Sequence, residues 1–438
     1  MAKLCKMHAD GEKFDAIVVG AGPAGTTAAL TMAKEGMRVA LLERGEYPGA
    51  KNVFGGVLYR WPLEEIIPKF WETAPLERQI VDHRFMVMSK DSGLLMSFKV
   101  DGKDKAPYNG YTAIRAKFDR WYASKAEEAG VLLVTSVAVD DVMTENGKVV
   151  GVRVGQGAEN ELYADVVIGA DGVNSNVAVK AGLRNPPDPD EVAIGVKEVV
   201  ELPSETIEAR FNLRKGEGAR METIGCTHGK MGGGFIYTNS SSLSVGVVIL
   251  LSHLMELQMK PYTLLDEFKS HQMIEPLIAG GKAKEYSAHL IPEAGYSRLP
   301  RLYGDGVMIV GDAAFLCSYP EGTNLAMASG MIAGKAALHA KKNNDFSANS
   351  LSAYQKMLAE SYAMKEMKRK SSSHKQLIQN PRLFGVYPDL VGELLADMLH
   401  INGELKSLKH KRAIKKFRQK IGLLRAIRDA YSARGMAP

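Results

Sequence analysis

Gly20-Ala21-Gly22-Pro23-Ala24-Gly25 follows the apolar run Phe14–Val19 and precedes a segment of helical character, Thr26–Lys34, and a second apolar run, Arg38–Leu42. This order predicts strand, tight turn, helix and strand, a βαβ unit. Each glycine has a reason in such a turn. Gly20 permits the sharp reversal, Gly22 lets backbone approach a diphosphate, and Gly25 lets helix and strand pack closely. Pro23 and Ala24 belong to the expected cofactor-binding set, and the helix N-terminus presents unpaired N–H groups and a positive dipole end to the phosphates. Glu43 ends the second strand, 18 residues after Gly25, where its carboxylate can accept from ribose hydroxyls; Arg44 follows it in the expected cofactor-binding set. An acid there disfavours a 2′-phosphate, but it does not separate NAD from FAD.

A chain of 438 residues divides into more than one structural unit. No stretch of about 18 apolar residues is present and Met1–Lys13 is polar, so neither a spanning helix nor a secretory segment is expected, which places the chain inside the cell. Cys5, Cys226 and Cys317 are far apart and odd in number, which argues against a disulfide framework and supplies too few thiolates for a four-cysteine iron–sulfur cluster. No metal site is expected. The net charge of +6 is unevenly placed: from Ala363 onward 17 basic residues oppose 6 acidic ones, leaving the remainder acidic.

Further nucleotide-domain pieces recur along the chain: a helix over Trp121–Ala129, strands at Val131–Val134, Val149–Val154, Val166–Ala170 and Val307–Val310, and a small-residue helix over Asn324–Leu338. Two stretches of β character, Ile80–Val100 and Ile194–Leu250, interrupt them. The expected architecture is α/β, a Rossmann-type dinucleotide-binding domain over 1–85, 111–185 and 286–345. A sheet-based substrate domain over 86–110 and 186–285 is inserted in it, and a helical basic region follows over 346–438. No second G-x-G-x-x-G follows a strand, so a dedicated NAD(P)H domain is not expected and electrons come from transient NAD(P)H or from another redox protein.

Asp165–Ser175 is a buried strand running into Asp171-Gly172, and Val307–Ala314 repeats the design through Gly311-Asp312. Together with the first motif, in this order, they resemble the FAD enzymes that include aromatic-ring monooxygenases, geranylgeranyl reductases and electron-transfer flavoprotein:quinone oxidoreductases. The resemblance implies that Asp312 meets the ribityl or diphosphate part of FAD, that Arg115 pairs with the diphosphate, that Val139 reaches adenine through its backbone, and that Asp171 shapes the site. A guanidinium suits phosphate oxygens because it donates bidentately.

The segments Ala288–Tyr296, Glu321–Gly330 and Phe235–Val247 resemble the quinone oxidoreductase branch and its FixC-type relatives. Gly322, Thr323 and Asn324 then open a helix after Pro320 whose N–H groups can face the flavin N1/O2 edge. The resemblance implies electron transfer to quinone, expected to be menaquinone. It also implies an electron-transfer flavoprotein pair and a separate ferredoxin-like FixX-type subunit as partners, within a complex that can be bifurcating. No cysteine follows Cys317, which sets this chain apart from the single-chain enzymes with their cysteine-rich C-terminal domain. His228, Tyr237 and His289 are candidate proton donors; no catalytic residue is assigned.

Leu408–Ala430 places Ile414, Phe417, Ile421, Leu424 and Ile427 on one face of a basic helix, which suits an anionic lipid surface on the cytoplasmic side of the membrane, an acidic partner, or packing on its own domain. Val247–Leu257 is a second apolar candidate for lipid contact. Reduction of isoprenoid double bonds, aromatic hydroxylation, and FAD-independent nucleic-acid binding through the tail remain as alternatives; the last is not expected, because a basic tail is poor evidence for it.

Overall fold

The computed structural model describes residues 13–51, 55–101, 107–155, 160–318 and 321–433; Cys5, Pro320 and the polar N-terminal residues 1–12 lie outside them. Phe14–Val19 forms the centre of a largely parallel sheet, flanked by Glu161–Gly169 on one side and Val39–Leu42 on the other. Layers cover both faces of it, which is why its sequence is a continuous apolar run. Outward from these strands lie Val307–Ile309 with Tyr303–Gly304, and Leu132–Val134. A hairpin of Asp141–Glu145 and Lys148–Arg153 leans on the start of Glu161–Gly169.

The helix after the glycine turn spans Pro23–Ala33, three residues earlier than its apolar pattern suggests, because Pro23 sits at the first helical position with its φ already helical. It packs on the long helix Gly322–Lys342 through small residues. A Cβ on Gly330 would come within 2.1 Å of the Ala24 carbonyl oxygen, so only glycine permits that approach.

The second sheet has nine strands, ordered from Lys282–Pro292 through Val192–Glu201, Ser242–Leu250, Gly232–Thr238, Glu217–Ile224, Leu76–Met88 and Gly110–Ile114 to Gly55–Tyr59, with Gly93–Lys99 paired to Leu76–Met88. Its strands therefore begin at 55 and run to 292, beyond the expected limits of 86 and 285. The early strand was hidden because its partner, Gly110–Ile114, lies some 50 residues on, and a short apolar strand carries no mark of which sheet it joins. Residue 115 is where this sheet returns the chain to the first: Gly110–Ile114 runs straight into the helix Arg115–Glu128, which starts six residues before the expected Trp121.

From residue 348 to 433 the chain is helical. The single basic helix expected over 408–430 is two, Lys406–Lys420 and Leu423–Ala433, separated at Gly422, whose φ of +77° terminates the first. The expected apolar face is broken there: Ile421 is 2 % exposed, whereas Leu424 is 84 % exposed. Asp429, fully buried, accepts from Asn380, Arg382 and Tyr387 and pins the last helix to the preceding segment. Val247–Leu257 is mostly core, with Val247, Ile249, Leu250 and Leu254 buried, Leu251 and Leu257 half-buried and Met255 exposed. Among the described residues no helix is long and apolar enough to cross a membrane.

Candidate functional site

Between the two sheets lies a cavity of about 650 Å³, within the size range of cofactor and ligand sites. The C-terminal ends of the first-sheet strands supply one wall. Gly20 adopts φ +101°, and its N–H donates to Leu42 O at 2.7 Å, which folds the turn back against the second strand. The cap residue Gly22 offers no side-chain oxygen, no acid stands in the helix's first turn, and a Cβ on Gly22 would meet nothing within 4 Å. The turn therefore presents open backbone donors and a positive dipole end, the donor set a diphosphate requires. Glu43 holds this loop: its Oε2 accepts from Ala21 N at 3.0 Å and its Oε1 from Gly45 N at 2.7 Å. Each oxygen keeps a further lone pair for a hydroxyl. These features fit FAD.

Gly20, Gly22, Pro23, Ala24, Glu43, Arg44, Arg115, Val139, Asp171, Asp312, Gly322 and Thr323 all line the cavity. Three expected residues do not. Gly25 is excluded from contact because it packs against the turn, where a Cβ would fall 1.9 Å from Gly20 O. Gly311 abuts Ala24 and donates its N–H to Ser329 Oγ at 2.9 Å. Asn324, 2 % exposed, donates to the carbonyls of Tyr59 and Trp61 and so fastens the helix start to the second sheet. All three shape the site from behind.

Arg115 donates from Nε and Nη2 to the two carboxylate oxygens of Asp119, at 2.6 and 2.7 Å. This fixes the guanidinium at the start of its helix and leaves further donors toward the cavity. Asp171 is a brace as well as a lining residue: it accepts from Ser175 Oγ at 2.5 Å and from Val177 N at 3.1 Å, and burial raises its pKa despite these bonds. Asp312 lies deep in the protein yet faces the cavity. Burial lifts its carboxyl to about 6, opposed by the positive field of Arg115. Cys317 also lines the cavity, and burial, with Asp312 and Glu293 adding to it, raises its thiol well above the ordinary value and favours the protonated form.

The second sheet and the C-terminal helices supply the other wall, including Phe235, Tyr237, Arg220, Glu222, Met231, Leu377 and Phe384. Phe235 and Tyr237 stack with centroids 5.1 Å apart. Arg220 donates to Tyr59 Oη and, at 3.3 Å, to Glu222. Of the candidate proton donors, Tyr237 and His289 line the cavity. Burial raises the Tyr237 pKa, so its hydroxyl stays protonated; burial, helped by Arg115 and Arg44, lowers that of His289 and favours the neutral ring. His228 does not join them: it is surface-exposed and bonded to Glu267 at 2.6 Å. Among the described residues no cluster of three or more His, Cys, Asp or Glu is placed to hold a metal ion. Sequence reasoning missed Lys197, Arg220 and Glu222; only the alternation of strands whose partners are unknown from sequence could have turned them inward.

Comparison with known proteins gives three family matches: "FAD dependent oxidoreductase" over residues 15–185, "ETF-QO, ubiquinone-binding" over 192–291, and "ETF-QO/FixC family C-terminal domain" over 374–436. The protein FixC of Bradyrhizobium diazoefficiens is 45% identical over 426 residues, covering 96% of this chain and 98% of its own. FixC of Azotobacter vinelandii is 44% identical, covering 96% and 98%. Among solved structures, a geranylgeranyl bacteriochlorophyll reductase-like protein of Thermoplasma acidophilum shares the fold with a TM-score of 0.71 and 21% identity, covering 94% of this chain and 100% of its own.

The Asp312 carboxyl generates a signed expectation for the apoprotein. A folded-state value of about 6, above the 3.8 of an ordinary aspartate, means that ionisation weakens folding progressively between those two values and fully above the higher. Asp312→Asn should therefore raise the apoprotein melting temperature above pH 6, with the gain shrinking toward zero as pH falls to about 4. A gain independent of pH across that window would show that the carboxyl is not held in this environment.

Proposed function

This chain belongs to the ETF-QO/FixC family and is an FAD-dependent oxidoreductase, and from that premise we propose that it passes electrons from an electron-transfer flavoprotein to a membrane quinone, assigned as menaquinone. One observation carries the reading: a single cavity joins the glycine-turn wall to a second wall built by the segment that matches the ubiquinone-binding family model. FAD supplies two-electron redox chemistry when bound. The residues proposed to hold it are the Gly20–Ala24 turn and Arg115 for the diphosphate, Glu43 for ribose hydroxyls, Val139 for adenine, Asp312 for the ribityl chain, and the helix start at Gly322-Thr323 for the flavin.

The second wall suits a quinone. Phe235, Met231, Leu377 and Phe384 offer apolar contact, while the protonated Tyr237 hydroxyl can donate a hydrogen bond to a quinone oxygen and the neutral His289 ring can relay a proton, accepting one as it gives one up. Electrons arrive through a ferredoxin-like FixX-type subunit fed by the flavoprotein pair; in a bifurcating complex this chain is the acceptor end. The described structure supports this supply in that its only G-x-G-x-x-G turn is taken by the first wall. We assign the chain to the cytoplasmic face of the membrane. Leu423–Ala433 supports a peripheral attachment, since it exposes Leu423, Leu424, Ile427 and Tyr431 beside Arg425 and Arg428.

The flavin of the purified protein, photoreduced without oxygen, should be reoxidised rapidly by a water-soluble menaquinone analogue, and NAD(P)H alone should leave the oxidised flavin unreduced. Rapid reduction by NAD(P)H, or reoxidation by a polyprenyl substrate with an inert quinone, would contradict the assignment. Leu424→Glu with Ile427→Glu, both at exposed positions, should cut sedimentation with anionic vesicles several-fold; undiminished binding would move the lipid-facing surface away from the last helix.

A further inference from the structure

The strand Val192–Glu201 alternates cleanly between two environments. Ile194, Val196 and Val200 pack into the apolar core behind the second sheet, while Ala193, Gly195 and Lys197 line the cavity. Its neighbour in the sheet repeats the arrangement, with His289 opposite Gly195 and Ile291 opposite Ala193, both also lining the cavity. The pleat thus turns a lysine inward beside a glycine and an alanine. A lysine on a buried sheet face is rare, because its ammonium must find acceptors away from water.

Among the described residues Lys197 has one loose acidic partner and no more. The residue is 3 % exposed, and among the described residues its ammonium makes no hydrogen bond. Its nearest acid, Glu285, stands 4.0 Å away and is itself 46 % exposed. The other charged groups acting on this region are chiefly cationic. Arg115 works against the charge on both Lys197 and His289, and Arg44 adds to its effect on His289. Asp312, the cavity acid near Arg115, is held largely neutral by burial until pH reaches about 6. Arg115 differs from Lys197 in having a dedicated partner, the bidentate Asp119. A nearly buried cation with no hydrogen bond and one loose ion pair is destabilising to a folded protein unless something else brings negative charge.

We propose that Lys197 is a cofactor-holding residue whose ammonium is completed by the negative charge of FAD. This rests on the FAD reading of the cavity and adds to it a contact from the second sheet, so that one charge ties the substrate-side wall to the cofactor. FAD offers that charge from two sources: its diphosphate, which is anionic in both redox states, and its ring system, which becomes electron-rich on reduction. Lys197 beside the diphosphate strengthens binding of the oxidised cofactor. Lys197 beside the ring leaves that binding alone and favours the reduced form.

Lys197→Met keeps the length of the side chain and removes its charge, and Lys197→Arg keeps the charge. FAD would be stripped from each protein, the apoproteins melted, FAD rebound by fluorescence titration, and the reconstituted flavin equilibrated with a redox indicator dye. The apoprotein of Lys197→Met should melt at or above the wild-type temperature, since an uncompensated buried charge has been replaced by an apolar chain of similar shape. It should also show a loss of about tenfold or more either in affinity for oxidised FAD, which identifies the diphosphate, or in the reduced-to-oxidised ratio at a fixed dye potential, which identifies the ring. Lys197→Arg should recover most of that loss. Wild-type protein that is purified without flavin and does not bind added FAD would remove the cofactor reading and this contact with it. Normal wild-type rebinding with both quantities within about twofold in Lys197→Met, or a destabilised Lys197→Met apoprotein, would overturn the role of Lys197 alone.

Discussion

The bidentate pair of Arg115 and Asp119 stands where the second sheet hands the chain back to the first. Its carboxylate is 1 % exposed, so the pair is an inner support between the two halves of the molecule. The loop after the first βαβ unit closes on the same point: Gly49, at φ +91°, passes so near that a Cβ would fall 2.7 Å from the Arg115 carbonyl oxygen. Fixing the guanidinium there has consequences across the cavity. Burial lowers the pKa values of His289 and Lys197 and the Arg115 field adds to that lowering, while the same field opposes the burial that raises Asp312. Arg115 and Lys197 thus bring positive charge to the cavity from both walls, which suits an anionic cofactor.

The first wall was legible from sequence because its physics is local. A turn that admits only glycine at Gly20, a helix opened by Pro23 and an acid at the end of the next strand are fixed by backbone geometry within 30 residues, and they appear in the structure as expected. The helix over Gly322–Lys342 was legible for a related reason: its alanines and glycines announce close helix packing, which Gly330 against Ala24 provides. The resemblance to FixC-type proteins, drawn from Ala288–Tyr296 and Glu321–Gly330, agrees with the family matches.

The second wall was not legible, because its physics is long-range. Lys197, Arg220 and Glu222 face inward only through the register of strands separated by tens of residues, and a single step of that register would turn each outward. Asn324 shows the converse error. Its place at a helix start suggested cofactor contact, yet it fastens the helix to Tyr59 and Trp61, which no local pattern discloses. The tail's charge was legible, since 6 acids leave most of 17 bases unmatched even though Arg412 pairs with Asp397 and Glu404, and Lys416 and Lys420 with Glu393. What sequence periodicity misplaced is the apolar face, which is exposed only after Gly422.

On the proposed function, cofactor and acceptor share one cavity, each against its own wall. Photoaffinity labelling of the FAD-loaded protein with an azido-quinone, followed by peptide mapping, tests it directly. The account predicts label on peptides carrying residues 220–237 and 377–384, suppressed by excess unlabelled quinone analogue. Label confined to the glycine-turn peptides, or label on the second wall that excess quinone does not suppress, would contradict it.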